Sequence, residues 1–198
     1  MARFLGKLPT NAQGVTCTEL KVAVCDFGKP AVADPNGLLN VAVAAATAVT
    51  ITSFLTDLDV PRQVTVVATD ATAAGFIEND DVVTIYGTDI EGKAISEVLT
   101  FDADQETAET TEYAFKTVTK VIIGESAVGA TFDVGWNDAL GLPFTLSAVE
   151  PRPLEFGGGL LKTTAGVFTR DASVVGKNTY DPNTTLNGAT SVELLMFL

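Results

Sequence analysis

The chain has no histidine, one tryptophan and two cysteines in 198 residues. Without histidine, no imidazole is present to act as a general base, so a Ser-His-Asp nucleophile set has no means of completion. With no imidazole and no second cysteine pair, there is also no recognisable zinc set. Positive charge is scarce as well: 12 Lys and Arg stand against 25 Asp and Glu, a formal net charge of −13. Phosphate backbones and anionic lipid surfaces need compensating cations, so neither nucleic acid nor membrane is an expected partner.

The two cysteines, Cys17 and Cys25, bracket "CTELKVAVC". One extended strand would hold them ~25 Å apart, beyond disulfide reach. They read as structural free thiols, with a disulfide as the alternative if the segment turns. A secretion signal is not apparent: "MARFLGKLPTNAQGV" starts basic but has no continuous apolar stretch. The longest apolar region, residues 38–55 ("LLNVAVAAATAVTITSFL"), is long enough to span a bilayer. However, it carries Asn40 and several threonines, and Val49, Ile51 and Phe54 sit among Thr and Ser. That alternation suits strands in a water-soluble core.

At 46% hydrophobic residues, the chain can bury a substantial core. β-Branched and aromatic residues concentrate in short runs separated by Gly, Pro, Asp and Asn. Strands are expected at residues 19–24, 39–44, 48–54, 63–69, 82–87, 94–101, 114–123, 131–136 and 191–197, and one helical turn in "ATDATAAGF" (68–76). The fold class is therefore all-β, an antiparallel β-sandwich or barrel-like domain with extended N- and C-terminal arms. The division is 1–36 as arm and first strand, 37–146 as sandwich core, and 147–198 as linker plus a C-terminal strand packing on the core or a neighbour.

The clearest local unit is "DDVVTIYGTDIEGKAISEVLTF" (80–101), two strands joined by a turn in which Gly92 supplies a positive φ. In its second strand Ile95, Glu97, Leu99 and Phe101 share one face, while Ser96, Val98 and Thr100 share the other. Both faces are expected to be partly buried. The acidic "DADQETAETTE" (102–112) then reads as a solvated loop, and Phe115 and Val121 in "YAFKTVTKVIIG" as core residues. "AVEPRPLEFGGGLLKTTAG" has the Pro and Gly content of a linker. The apolar ending "ELLMFL" is expected to pair into a sheet or dock on a neighbouring subunit.

Three stretches imitate catalytic motifs. "GESAVG" (124–129) has its second glycine one position late for a nucleophile elbow, and "GGGLLKTT" (157–164) places Leu161 where a phosphate loop needs glycine. They read as a turn and a flexible joint. Asp70, Glu78, Asp80 and Asp81 lie close in sequence and read as a solvated loop, with Ca²⁺ ligation or glycoside hydrolysis as the less favoured alternatives. Trp136 reads as a core or interface anchor before a sugar-stacking platform. No catalytic residue, metal or cofactor site is assigned.

Pro61-Arg62 before a strand, a "TIYGTD–x–x–G" hairpin (84–92), the "AFKTVTKV" strand (114–121) and the "LGLP" exit (140–143) occur in that order. With the ending "DPNTTLNGATSVELLMF" (181–197), this resembles the head decoration or cement proteins of tailed bacteriophages. The match covers residues 60–143 well and the C-terminal segment loosely. The resemblance implies a non-enzymatic virion protein on the outer capsid surface, in trimers or other symmetric clusters, bridging subunits of the major capsid protein. A tail-associated or glycan-binding adhesin module is the alternative.

Overall fold

The computed structural model describes residues 2–8, 20–42, 47–70, 81–101, 108–125, 130–146 and 152–197. These form fifteen strands: β1 (Ala2–Leu8), β2 (Leu20–Asp26), β3 (Asp34–Ala42), β4 (Val49–Ile51), β5 (Arg62–Asp70), β6 (Asp81–Thr88), β7 (Ala94–Phe101), β8 (Ala108–Phe115), β9 (Thr117–Ile123), β10 (Ala130–Gly141), β11 (Arg152–Gly157), β12 (Leu160–Leu161), β13 (Val167–Thr169), β14 (Thr179–Asp181) and β15 (Val192–Phe197). The one helical element among the described residues is a 3₁₀ turn at Val175–Lys177. The fold is all-β, as the turn-punctuated apolar runs require, and no helix among the described residues is long and apolar enough to cross a membrane.

The strands make three antiparallel sheets, ordered β1-β2-β15-β11-β12, β13-β14-β10-β5-β8 and β4-β9-β6-β7. β3 joins the second sheet by pairing with the first half of β10. The second and third sheets face each other over one core. Val64, Val66 and Ala68 of β5 and Phe132 and Val134 of β10 meet Val83 and Ile85 of β6, Phe101 of β7, and Val121 and Ile123 of β9. These residues sit two apart because alternate side chains of a strand share a face. Phe101 meets Phe132 edge to face across the layers, with ring centroids 5.9 Å apart.

A second core lies against the first sheet, where Ala23 and Cys25 of β2 and Val192, Leu194 and Met196 of β15 enclose Leu140, Leu142, Leu146, Tyr180 and Leu186. β10 serves both cores, its Ala130–Trp136 part the first and Leu140 the second. The ending read as needing cover is a central strand, paired with β2 on one side and β11 on the other.

Several expectations are corrected. Residues 108–112 belong to β8, an edge strand paired only with β5, so the acidic loop is shorter than its composition suggests. The run 114–123 is two strands broken at Lys116, and 48–54 contracts to Val49–Ile51. The outer face of β7 is fully exposed, with Val98 in solvent. The expected linker contains β11, and "GGGLLKTT" is a tight hairpin whose Gly158 and Gly159 carry φ of 61° and 79°. In the expected helical turn, residues 68–70 are strand and the remainder lies outside the described residues.

Candidate functional site

The hairpin that stood out in the sequence is a braced edge of the third sheet, its first strand paired with β9 as well as with β7. β6 and β7 pair over eight residue pairs without a register shift, from Asp81↔Phe101 to Thr88↔Ala94. At the turn the Asp89 carboxylate accepts hydrogen bonds from the Glu91 and Lys93 amides at 3.0 and 2.9 Å, while Gly92, at φ 83°, donates to the Asp89 carbonyl. Aspartate suits this position because its short carboxylate can reach its own turn's amides. Next to the turn, the hairpin is tied to β9 by the Thr88–Thr117 hydroxyl pair at 2.7 Å, and Lys116 N–H donates to the Thr88 carbonyl. On the neighbouring strand, the Glu97 carboxylate accepts from the Glu112 and Tyr113 amides, stitching β7 of the third sheet to β8 of the second. The result is a stiff tongue with Ser96, Val98 and Thr100 facing outward.

Beside this tongue lies a cleft of about 410 Å³, walled by the apolar Cys25, Phe27, Val60, Pro61, Ile90 and Pro143 and by the charged Asp26, Asp59 and Lys116. Cys25 is a buried free thiol, and burial pushes it up to about 12, so at neutral pH it is a protonated, small apolar group. Cys17 lies outside the described residues.

The hairpin β11–β12 and strand β13 form a second feature, held by Glu155. Its carboxylate is buried and accepts from the Tyr180 hydroxyl, the Gly166, Asn183 and Thr184 amides, and the Thr184 hydroxyl. Burial alone would raise its pKa. The hydrogen bonds from Thr184, Tyr180 and Asn183 together outweigh that, and the group is held below the ordinary glutamate range. The same contact and burial raise the Tyr180 hydroxyl. Beyond this clamp Leu160, Leu161 and Val167 stand in solvent.

Arg62, flagged by its place after Pro61, is fully buried. It donates to the Ala31 and Asn137 carbonyls and to Asp59 Oδ2, and its guanidinium lies 5.9 Å from the centroid of the Trp136 ring. Its Nε is 2.9 Å from Asp59 Oδ1, within ion-pair range but outside hydrogen-bond geometry. Trp136 is a core anchor whose Nε1 donates to the Val32 carbonyl at 3.0 Å. It offers no platform for a sugar. Tyr180 is buried, and the rings of Tyr86 and Tyr113 are each covered by an ammonium, Lys120 at 3.9 Å and Lys177 at 5.1 Å.

Among the described residues, no acidic and cysteine side chains gather in threes to hold a metal. Lys162, from the phosphate-loop imitation, sits at a hairpin edge with its amide on the Glu155 carbonyl. The side chains of Asp70, Glu78, Asp80 and Asp81 lie outside the described residues, as does most of "GESAVG". The Asp89 turn was legible from its "DIEG" chemistry. Glu155 was not, since its donors come from distant loops.

No family model, no curated protein and no solved structure matches this chain.

Proposed function

We propose that this chain is a non-enzymatic structural protein of a tailed-bacteriophage virion, a decoration protein on the outer capsid surface that bridges major capsid subunits and raises the barrier to shell rupture. The observation that carries the reading is the braced β6–β7 tongue. It is one of the ordered segments that carry the resemblance, and its turn, the strand end beside that turn and the neighbouring sheet are each fixed by hydrogen bonds that leave its outer face free. Rigidity of this kind suits adhesion, because a preorganised surface loses little entropy on docking. The adjacent cleft, apolar with Asp26, Asp59 and Lys116 in its wall, offers a seat for one side chain of the shell protein. Multiplied over symmetric copies, modest contacts become strong.

The acidic balance supports the same reading by opposing non-specific association. The adhesin alternative loses its aromatic platform to burial and to the lysine caps. Incubating the purified protein with particles lacking it, then sedimenting them, tests the proposal. Stoichiometric co-sedimentation that is lost in Val98→Glu supports it; co-sedimentation unaffected by changes on the tongue contradicts it.

A further inference from the structure

We propose that Asn36 is a site of self-modification, where the side-chain amide is lost to a cyclic imide with Gly37 that water opens to aspartate and isoaspartate. The chain holds two Asn-Gly pairs, Asn36-Gly37 and Asn187-Gly188. Glycine after asparagine lets its main-chain nitrogen reach the preceding side chain, because no Cβ stands in the way. The fold treats the two pairs oppositely. Asn187 Oδ1 accepts from the Ala189 and Thr190 amides at 2.9 and 2.8 Å, and its Nδ2 donates to the Thr190 hydroxyl. The Gly188 N–H donates to the Pro30 carbonyl at 2.8 Å. Both reacting groups of that pair are held.

Asn36 is exposed, and its side chain has no hydrogen-bond partner among the described residues. Its main-chain N–H donates to Asp34 Oδ1 at 3.2 Å. The β3–β10 pairing passes from Asp34↔Trp136 to Leu39↔Val134, so Asn36 and Gly37 fall in a register break and are not paired positions. Gly37 cannot give way to a larger residue: a Cβ on it would lie 2.3 Å from Trp136 Cη2 and 3.0 Å from Asp34 Cγ. The packing of Trp136 therefore enforces the reactive pair.

In the first step the Gly37 nitrogen bonds to Asn36 Cγ, the Cγ–Nδ2 bond breaks, and Nδ2 leaves with the Gly37 proton as ammonia. Water then adds to one imide carbonyl and the nitrogen departs from it. Opening at Cγ restores the ordinary chain with an aspartate. Opening at the main-chain carbonyl reroutes the chain through Cβ and Cγ and adds a carbon to the backbone. Water is the sole co-reactant, and no electrons are transferred. The longer backbone has to be fitted beside Trp136, which holds the Val32 carbonyl and lies against the Arg62 guanidinium. Conversion thus acts as a slow one-way timer that loosens this anchor. The pair lies outside the β6–β7 tongue, so the change is read independently of particle binding.

The test is to hold the folded chain in warm, mildly alkaline buffer and follow its peptides by mass spectrometry. The peptide carrying Asn36 is expected to turn into aspartate and isoaspartate forms, with release of ammonia, roughly tenfold or more faster than the peptide carrying Asn187. In urea, where both pairs are freed, the two rates should agree within about threefold. Trp136 is the only tryptophan, so its emission should move to longer wavelength in step with conversion at Asn36. Asn36→Gln, whose side chain would have to close a larger ring, should show neither change. The proposal is overturned if Asn36 in the folded chain lasts as long as Asn187, if Asn187 stays the slower by as much in urea, or if emission drifts equally in Asn36→Gln.

Discussion

The Tyr180 hydroxyl donates to the Glu155 carboxylate at 2.5 Å, joining β14 of the second sheet to β11 of the first inside the protein. One carboxylate thereby organises two loops and a sheet junction. Glu155→Gln keeps the shape but replaces one acceptor oxygen with a donor facing donors. It should cost about 1–3 kcal/mol, and Glu155→Ala, which leaves several buried donors without partners, about 3–5 kcal/mol. Urea unfolding measures both, and amide exchange at Gly166, Asn183 and Thr184 should accelerate first.

Acid should weaken the fold through the same group. The folded-state pKa of Glu155 is depressed, so its contribution is present above the ordinary glutamate value and fades as pH falls through the depressed one. Asp181 is shifted the other way, upward, chiefly by burial and then by Asp138 and Glu155. Its relative stabilisation is present below its ordinary pKa and lost as pH rises through the raised one, which partly offsets Glu155. Thermal melts from neutral to strongly acid pH should show a shallower acid limb in Glu155→Gln than in the wild type.

Arg62 and Asp59 should respond unequally to truncation. Asp59→Ala leaves a fully buried guanidinium without its counter-ion and should cost about 3–5 kcal/mol. Arg62→Met removes the buried charge and leaves Asp59 partly in solvent, so the loss should be smaller, about 1–3 kcal/mol. Equal losses in denaturant unfolding would argue against this asymmetry.

Deleting residues 192–198 removes the strand between β2 and β11 together with Val192, Leu194 and Met196, each worth about 1.5–3 kcal/mol when buried. The truncated chain should aggregate on expression or unfold in its second core. A soluble truncation with the wild-type melting profile would show that β15 is dispensable.

What could be read from sequence divides along physical lines. β7 was legible because alternate residues meet one core, and Gly92 because the turn chemistry is local. Trp136 was legible as an anchor from its strand context. β8 was not, because an edge strand with Glu and Thr on its open face has the composition of a loop. β11 was masked by Pro151, Pro153 and the glycines, and its identity as a strand comes from pairing with β15 some forty residues on. Glu155 was invisible for a related reason: its partners lie 11 to 29 positions away, and nothing local distinguishes it from a surface carboxylate. The hairpin tongue could be foreseen as a shape, but not the Glu97 stitch that fixes it to the second sheet.

The central claim, a rigid adhesive brace of a phage head, is tested most directly by quantitative mass spectrometry of purified particles. The account predicts this chain at a copy number comparable with that of the major shell protein, falling sharply when the tongue carries Val98→Glu. Its absence from particles, or presence in only a tail-like handful of copies, would contradict it.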